Sequence, residues 1–327
     1  MLKPDITKLA AAIEAATRAH FGQPNYRMHL GASLAGKPCA RELFYSWRWA
    51  HMPTHSGRLY RLFNRGHQEE PRFALWLQLI GARVILFEEQ YLLYHPESDC
   101  YLFCYESDME AAFRGEPTLV DCSDQEGTFD PGCERLPEKQ LAFEDMGKFI
   151  GGSGDGRVEN LDQYGLPGRG GVEFKTYNEK QFTKLVAKTV KVAKPEHYAQ
   201  MQMYMHKFKL TWTLYCAVNK NDDSLYYEVV EYNKSAAQAY LNRLRTVVVA
   251  KEPPPRIAQD ASYFACKFCD FKQICHLGAA PKVSCRTCKF VEPRVENGVS
   301  NWICTRYDQP IPEEFTPKGC KDWEPGF

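Results

Sequence analysis

The chain has 327 residues, 44% of them apolar, and 41 basic residues balance 41 acidic ones. That length exceeds one average domain, and the neutral balance denies a nucleic-acid role any support from global basicity, so such a role needs a local basic patch. Thirteen cysteines behind a polar Met1-Leu2-Lys3-Pro4-Asp5 opening argue against a disulfide framework. They favour reduced thiolates that bind metal in a cytoplasm. No apolar run is long enough to span a bilayer.

Ile6, Leu9, Ile13 and Ala16 recur at helical spacing and predict a helix over 5–20. Lys37-Pro38-Cys39-Ala40-Arg41 leads into a second helix through Leu43, Phe44 and Trp47. A lone cysteine there reads as a small buried hydrophobe unless partners occur elsewhere. A helical region over 57–80 holds Arg65-Gly66-His67-Gln68-Glu69-Glu70, and Pro71 predicts a kink or a break. One strand is expected over 83–94.

From Glu97 to Asp145 the chain carries 14 acidic residues against Arg114, Arg135 and Lys139, together with Cys100, Cys104, Cys122 and Cys133. A solvated, partly irregular insertion over about 97–145 is the favoured reading. A zinc-bound subdomain and an acidic lid over a basic groove are the alternatives.

Asp155 sits among glycines in Gly151-Gly152-Ser153-Gly154-Asp155-Gly156, which lets backbone approach a ligand. In Gly171-Val172-Glu173-Phe174-Lys175 apolar and charged residues alternate, which predicts a strand. Val172 and Phe174 then face a core while Glu173 and Lys175 project together from the other face. A helix expected over 178–190 carries, along it and just after it, Lys180, Lys184, Lys188, Lys191 and Lys194. Pro195 opens another helix, on which Gln200 and Tyr204 share a face. Alternating segments at 211–218 and 225–231 predict a hairpin. A helix over 234–250 ends at Pro253-Pro254-Pro255.

Two cysteine groups close the chain. Cys266-x2-Cys269-x5-Cys275 supplies three thiols and wants a fourth. Cys285-x2-Cys288-x15-Cys304-x15-Cys320 lies in a segment with little sequence for a core. Tetrahedral zinc is the staple expected there, with unligated buried thiols as the alternative.

Asp155 followed by Glu173-x-Lys175 on a strand resembles the PD-(D/E)XK nuclease superfamily. His67 and Glu70 resemble the Gly-His-x-x-Glu setting of its RecB-like branch, and Gln200-x-x-x-Tyr204 is a further mark of that branch. Cys39 ahead of the core with Cys266, Cys269 and Cys275 behind it resembles the iron–sulfur nucleases of the AddB and CRISPR-associated types, with Cys39 as fourth ligand. Lys194-Pro195-Glu196-His197-Tyr198 is similar to phage-encoded exonucleases.

The resemblance implies an α/β nuclease core over 1–280, a mixed sheet flanked by helices; the acidic insertion and the zinc-binding tail expected over 281–327 depart from the family. It implies Mg2+ or Mn2+ held by His67, Asp155, Glu173 and the Phe174 carbonyl. Lys175 would orient water and stabilise the transition state, and Gln200 and Tyr204 would hold the substrate. It also implies a 4Fe-4S cluster at the first cysteine group, with zinc as the alternative. The expected partner is DNA, tracked by the five lysines, alongside phage or host recombination proteins in the host cytoplasm. A non-catalytic DNA-binding adaptor is the rival class.

Overall fold

The structure, a computed structural model, describes residues 6–23, 26–123 and 134–327. The elements run α1 (Ile6–Phe21), β1 (Leu30–Gly31), α2 (Ala40–Trp47), α3 (Gly57–Leu79), β2 (Arg83–Ile85), β3 (Gln90–His95), β4 (Cys100–Tyr105), α4 (Met109–Gly115) and β5 (Val120–Asp121). Next come β6 (Ala142–Asp145), β7 (Ile150–Ser153), β8 (Gly156–Glu159), β9 (Gly170–Tyr177), α5 (Glu179–Ala193), α6 (Pro195–Phe208), β10 (Trp212–Asn219) and β11 (Leu225–Glu231). The remainder is α7 (Lys234–Val248), α8 (Phe264–Lys267), α9 (Lys272–Leu277), β12 (Val291–Glu296), β13 (Val299–Cys304) and β14 (Gln309–Pro310). The fold is mixed α/β, and no helix among the described residues is long and apolar enough to cross a membrane.

The main sheet has the order β11-β10-β9-β8-β2. Only β9 and β10 in it are parallel, with Glu173 opposite Tyr215 and Lys175 opposite Ala217. The period of two in β9 divides its side chains between two layers. Val172 and Phe174 join Phe73, Leu77, Val158, Leu214 and Cys216 beneath α3, and Phe174 stacks on Phe73 with centroids 5.2 Å apart. On the other face Tyr177 and Tyr215 join Phe182, Leu185, Tyr198, Met201 and Met205 under α5 and α6.

Helix α3 runs unbroken through Pro71, against the expected kink or break. Proline removes one backbone hydrogen bond and costs roughly 3 kcal/mol. Burial of Phe73, Ala74 and Leu77 just beyond it outweighs that loss, since each fully buried large apolar side chain is worth about 1.5–3 kcal/mol. Helix α1 forms where its periodicity placed it, yet Ile6, Leu9 and Ile13 stay exposed. It is tied to α3 through Glu14, which accepts from Arg58 N and pairs with Arg61 at 3.0 Å.

The strand expected over 83–94 is two strands. β2 ends the main sheet, and β3 starts a separate sheet of order β4-β3-β5. Glu88 and Glu89 between them turn to Lys139, Arg83 and Arg169. Among its described residues the insertion carries β4, α4 and β5 around a small core of Leu93, Cys104 and Leu119, and most of its other side chains are exposed. Cys133 lies outside the described residues.

The segment beyond 280 forms the sheet β12-β13-β14 and packs into the core of the N-terminal helices. Val291 and Trp302 share a cluster with Leu43, Phe44, Trp47 and Phe149, and the Phe327 ring meets Phe44 and Tyr45. Fully buried Arg286 lies over Trp49 at 3.6 Å and Trp47 at 4.5 Å. It donates to the carbonyls of Trp47 and Met28. Arg48, also buried, lies over Trp302 and donates to the Ala250 and Arg286 carbonyls. Aromatic faces and backbone carbonyls thus take the place of carboxylate partners for both guanidiniums.

Candidate active site

The site lies where β7 hands over to β8 beside β9. Gly156 holds φ at 149°, and a Cβ there would meet the Ile85 carbonyl at 2.7 Å. Only glycine suits both demands, and the tight turn it makes directs Asp155 toward β9. Asp155 Oδ2 accepts from Phe174 N at 2.8 Å and from Lys175 Nζ at 3.3 Å. Lys175 Nζ also lies 2.5 Å from Glu173 Oε1 and donates to the Phe174 carbonyl at 2.9 Å.

Glu173 is 0% exposed. Its Oε2 accepts from Gln200 Nε2 at 3.4 Å, while its Oε1 takes the Lys175 ammonium. Burial, then the charge of Asp155, pushes its carboxyl up to about 7. Glu70 on α3 belongs to the same cluster. Burial first, then Asp155, raises its pKa, and Lys175 opposes. For Lys175 burial alone would depress the ammonium, but Asp155 and Glu173 together raise it. Three carboxylates therefore share one cation.

Helix α6 completes the wall. Gln200 Nε2 lies 3.3 Å from the Tyr204 hydroxyl, which donates to the Ser153 carbonyl at 2.5 Å. Behind the wall, Tyr177, Tyr215 and His197 share a buried network, with Tyr215 OH 2.5 Å from Tyr177 OH and 2.8 Å from His197 Nδ1. Burial, then Lys175 and Lys194, depresses His197 to about 3, so it stays neutral.

The residues fit a divalent cation. The donors are hard oxygens, and the carboxylates of Asp155, Glu173 and Glu70 crowd around a single ammonium. Asp155 and Glu173 are the natural holders, with the Phe174 carbonyl between them. His67 is 75% exposed and reaches the cluster only through Glu70, at 3.2 Å. No group of three or more His, Cys, Asp or Glu among the described residues stands in a ready metal-holding arrangement. That applies here and to both cysteine groups.

Cys39, Cys266, Cys269 and Cys275 nevertheless line one cavity. Burial, then the nearness of Cys39 and Cys275, raises Cys266. Burial, then Cys320, Cys288 and Cys304, pushes Cys285 up to about 11. Each quartet is gathered into one neighbourhood without being closed to ligand spacing.

The lysines divide at Thr189, whose φ of 62° interrupts α5. The amide of Val190 turns to Glu228 Oε2 at 2.8 Å. Lys180, Lys184 and Lys188 form an exposed stripe before that point, while Lys191 lies over the Tyr198 ring. Lys194 is half-buried, bonded to Gln181 at 2.8 Å and set over the Tyr177 ring. Of the expected track of five, Lys180, Lys184, Lys188 and Lys191 are exposed and Lys194 is half-buried.

Sequence reasoning passed over Glu70 as a site residue in favour of His67. The signal was present, since the two are three apart on a helix and share a face. It also passed over Tyr177, two positions beyond Lys175 on the same strand face.

No family model and no curated protein matches the chain. Among solved structures it is similar to LHK-Exo in complex with dAMP, at 14% identity over 68% of this chain and 87% of that one, with a TM-score of 0.37. It is similar to SSO0001 at 11% identity over 84% and 98%, with a TM-score of 0.38. It is also similar to the alkaline exonuclease LHK-Exo from Laribacter hongkongensis at 15% identity over 72% and 94%, with a TM-score of 0.35. Likenesses this slight carry no argument about activity, which rests on the residues of this chain.

Proposed function

We propose that the protein is a Mg2+- or Mn2+-dependent DNA nuclease of the PD-(D/E)XK type that hydrolyses phosphodiester bonds, acting as an exonuclease in phage DNA recombination, repair or degradation. One observation carries the reading: Asp155, Glu173 and Lys175 meet within hydrogen-bond or ion-pair distance on one wall. Asp155 and Glu173, with the Phe174 carbonyl and the His67–Glu70 pair beside them, would hold the cation. When bound, such an ion acidifies its water and offsets charge on the phosphate.

The other roles belong to the chain itself. Lys175 donates toward the charge that grows on the phosphate oxygens. Gln200 orients the Glu173 carboxylate, and Tyr204 fixes α6 to the Ser153 carbonyl ahead of Asp155. The exposed stripe of Lys180, Lys184 and Lys188 takes backbone phosphates.

Cleavage and binding of labelled DNA by wild type, Glu173→Ala and Lys175→Ala test this in one buffer with Mg2+ or Mn2+. Lys175→Ala should keep DNA affinity and lose roughly 100- to 1000-fold in rate. If all three bind alike and none cleaves, a DNA-binding adaptor replaces the enzyme.

The two cysteine quartets are proposed metal sites, a 4Fe-4S cluster or zinc at Cys39, Cys266, Cys269 and Cys275, and zinc at Cys285, Cys288, Cys304 and Cys320. With the cluster, anaerobically purified protein should be brown, absorbing broadly near roughly 400 nm, with one zinc per chain; with zinc at both quartets it should be colourless and carry two. Metal-free protein of normal stability would refute both.

A further inference from the structure

The segment carrying three of the first quartet's cysteines also carries Phe264, which is 79% exposed, more than any other large apolar side chain among the described residues. Phe268 follows one turn later at 71%. Their rings meet edge-on, with centroids 5.8 Å apart and planes at 72°. Lys267 between them is exposed and makes no ion pair among the described residues. Its Nζ stands 5.5 Å from the Phe268 centroid. Lys272 and His276 follow on α9. Of the nearby acids, Asp260 is already bonded to Ser262, and Asp270 is exposed.

Through Lys37 and Gly36 this segment reaches the first turn of α6. Lys37 lies within electrostatic range of Cys269 and Asp270. Gly36 beside it is packed so closely on Pro195 and Glu196 that a Cβ would meet them at 2.5–2.9 Å. Pro195 opens α6, the helix of Gln200 and Tyr204. Exposed aromatic rings interleaved with an unpaired cation suit nucleobases, which stack without regard to sequence.

We propose that Phe264 and Phe268 form a stacking platform for unpaired bases of a single DNA strand. The proposal deepens the DNA-nuclease reading and rests on it. The test is fluorescence anisotropy of a labelled oligo-dT strand and a labelled duplex, each about 20 nucleotides long, with full-length protein and no added divalent cation. Phe264→Ala with Phe268→Ala should weaken single-strand binding by roughly tenfold or more and leave duplex binding unchanged. Phe264→Leu with Phe268→Leu, apolar but without a ring, should behave like the alanine pair. Phe264→Trp with Phe268→Trp should bind like wild type.

Wild-type affinity in the alanine and leucine pairs, in a protein that still cleaves DNA, would overturn the platform alone. So would a change of oligomeric state with DNA affinity unaltered, which would assign the patch to a second copy. A wild type that neither binds nor cleaves DNA would overturn the nuclease reading, and the platform with it.

Discussion

Two groups of carboxylates in this molecule are treated in opposite ways. At the edge of the main sheet Glu106 receives Arg157 and Arg169, Glu159 receives Arg169 and Arg83, and Glu89 receives Arg83 and Arg169. Burial works against ionisation of Glu106 and Glu159, yet hydrogen bonds from the guanidiniums prevail and hold both below the usual carboxylate range. A few residues away Asp155, Glu173 and Glu70 share Lys175, and Glu173 and Glu70 are pushed up. The first group is neutralised from within the chain. The second is short of positive charge, the condition an external cation relieves.

Exchanging charge for its neutral isostere should separate the two groups. Glu173→Gln should reduce cleavage by about 1000-fold or more, as expected for loss of a cation holder, without lowering the melting temperature, since it removes a buried charge that burial disfavours. Glu106→Gln should do the reverse. It leaves Arg157, only 10% exposed, short of a counter-charge, and should cost about 2–3 kcal/mol in chemical denaturation. Cleavage per folded molecule should not change. If Glu106→Gln proves neutral in stability, the network is ornamental and the comparison fails.

Glu70→Gln should fall between. Its side chain is 26% exposed and it stands beside the proposed holders, so cation affinity by calorimetry should drop by roughly tenfold, about 1.4 kcal/mol. A drop as large as that of Glu173→Gln would promote Glu70 to a principal ligand.

The smallest effect concerns acid. A carboxylate whose folded pKa is depressed contributes stability above its unfolded pKa, near 4.5 for Glu106, and that contribution is lost as pH falls through the folded value. Denaturation midpoints followed downward from about pH 5 should therefore fall less steeply in Glu106→Gln than in wild type. Parallel slopes would mean the network does not titrate with folding.

The site wall was legible because its signal is local. Val172 and Phe174 alternate with Glu173 and Lys175, and a period of two fixes which face each takes. Gly156 beside Asp155 likewise announces a turn. What the sequence hid depends on partners far along the chain. Nothing near residue 86 says that one apolar stretch serves two sheets, because the acids that divide it are answered by Lys139 and Arg169. Pro71 was over-read because the burial that overrides it comes from β9. The choice of His67 over Glu70 turned on which member of one helix face looks inward, and only packing decides that. The tail was read as a small unit with little sequence for a core, while Arg286 between two of its cysteines reaches into the tryptophans around α2.

That last arrangement has a kinetic side. Trp47 and Trp302 lie 4.9 Å apart, although 255 positions separate them in the sequence. At a synthesis rate of about 5–20 residues per second, roughly 13–50 s pass between the two leaving the ribosome's catalytic centre. Through that interval the nascent α2 has no Arg286 or Trp302 to cover it and exposes the aromatic surface of Phe44, Trp47 and Trp49. Holdase chaperones should therefore engage this chain early, at α2, and release it only after β13 has been made.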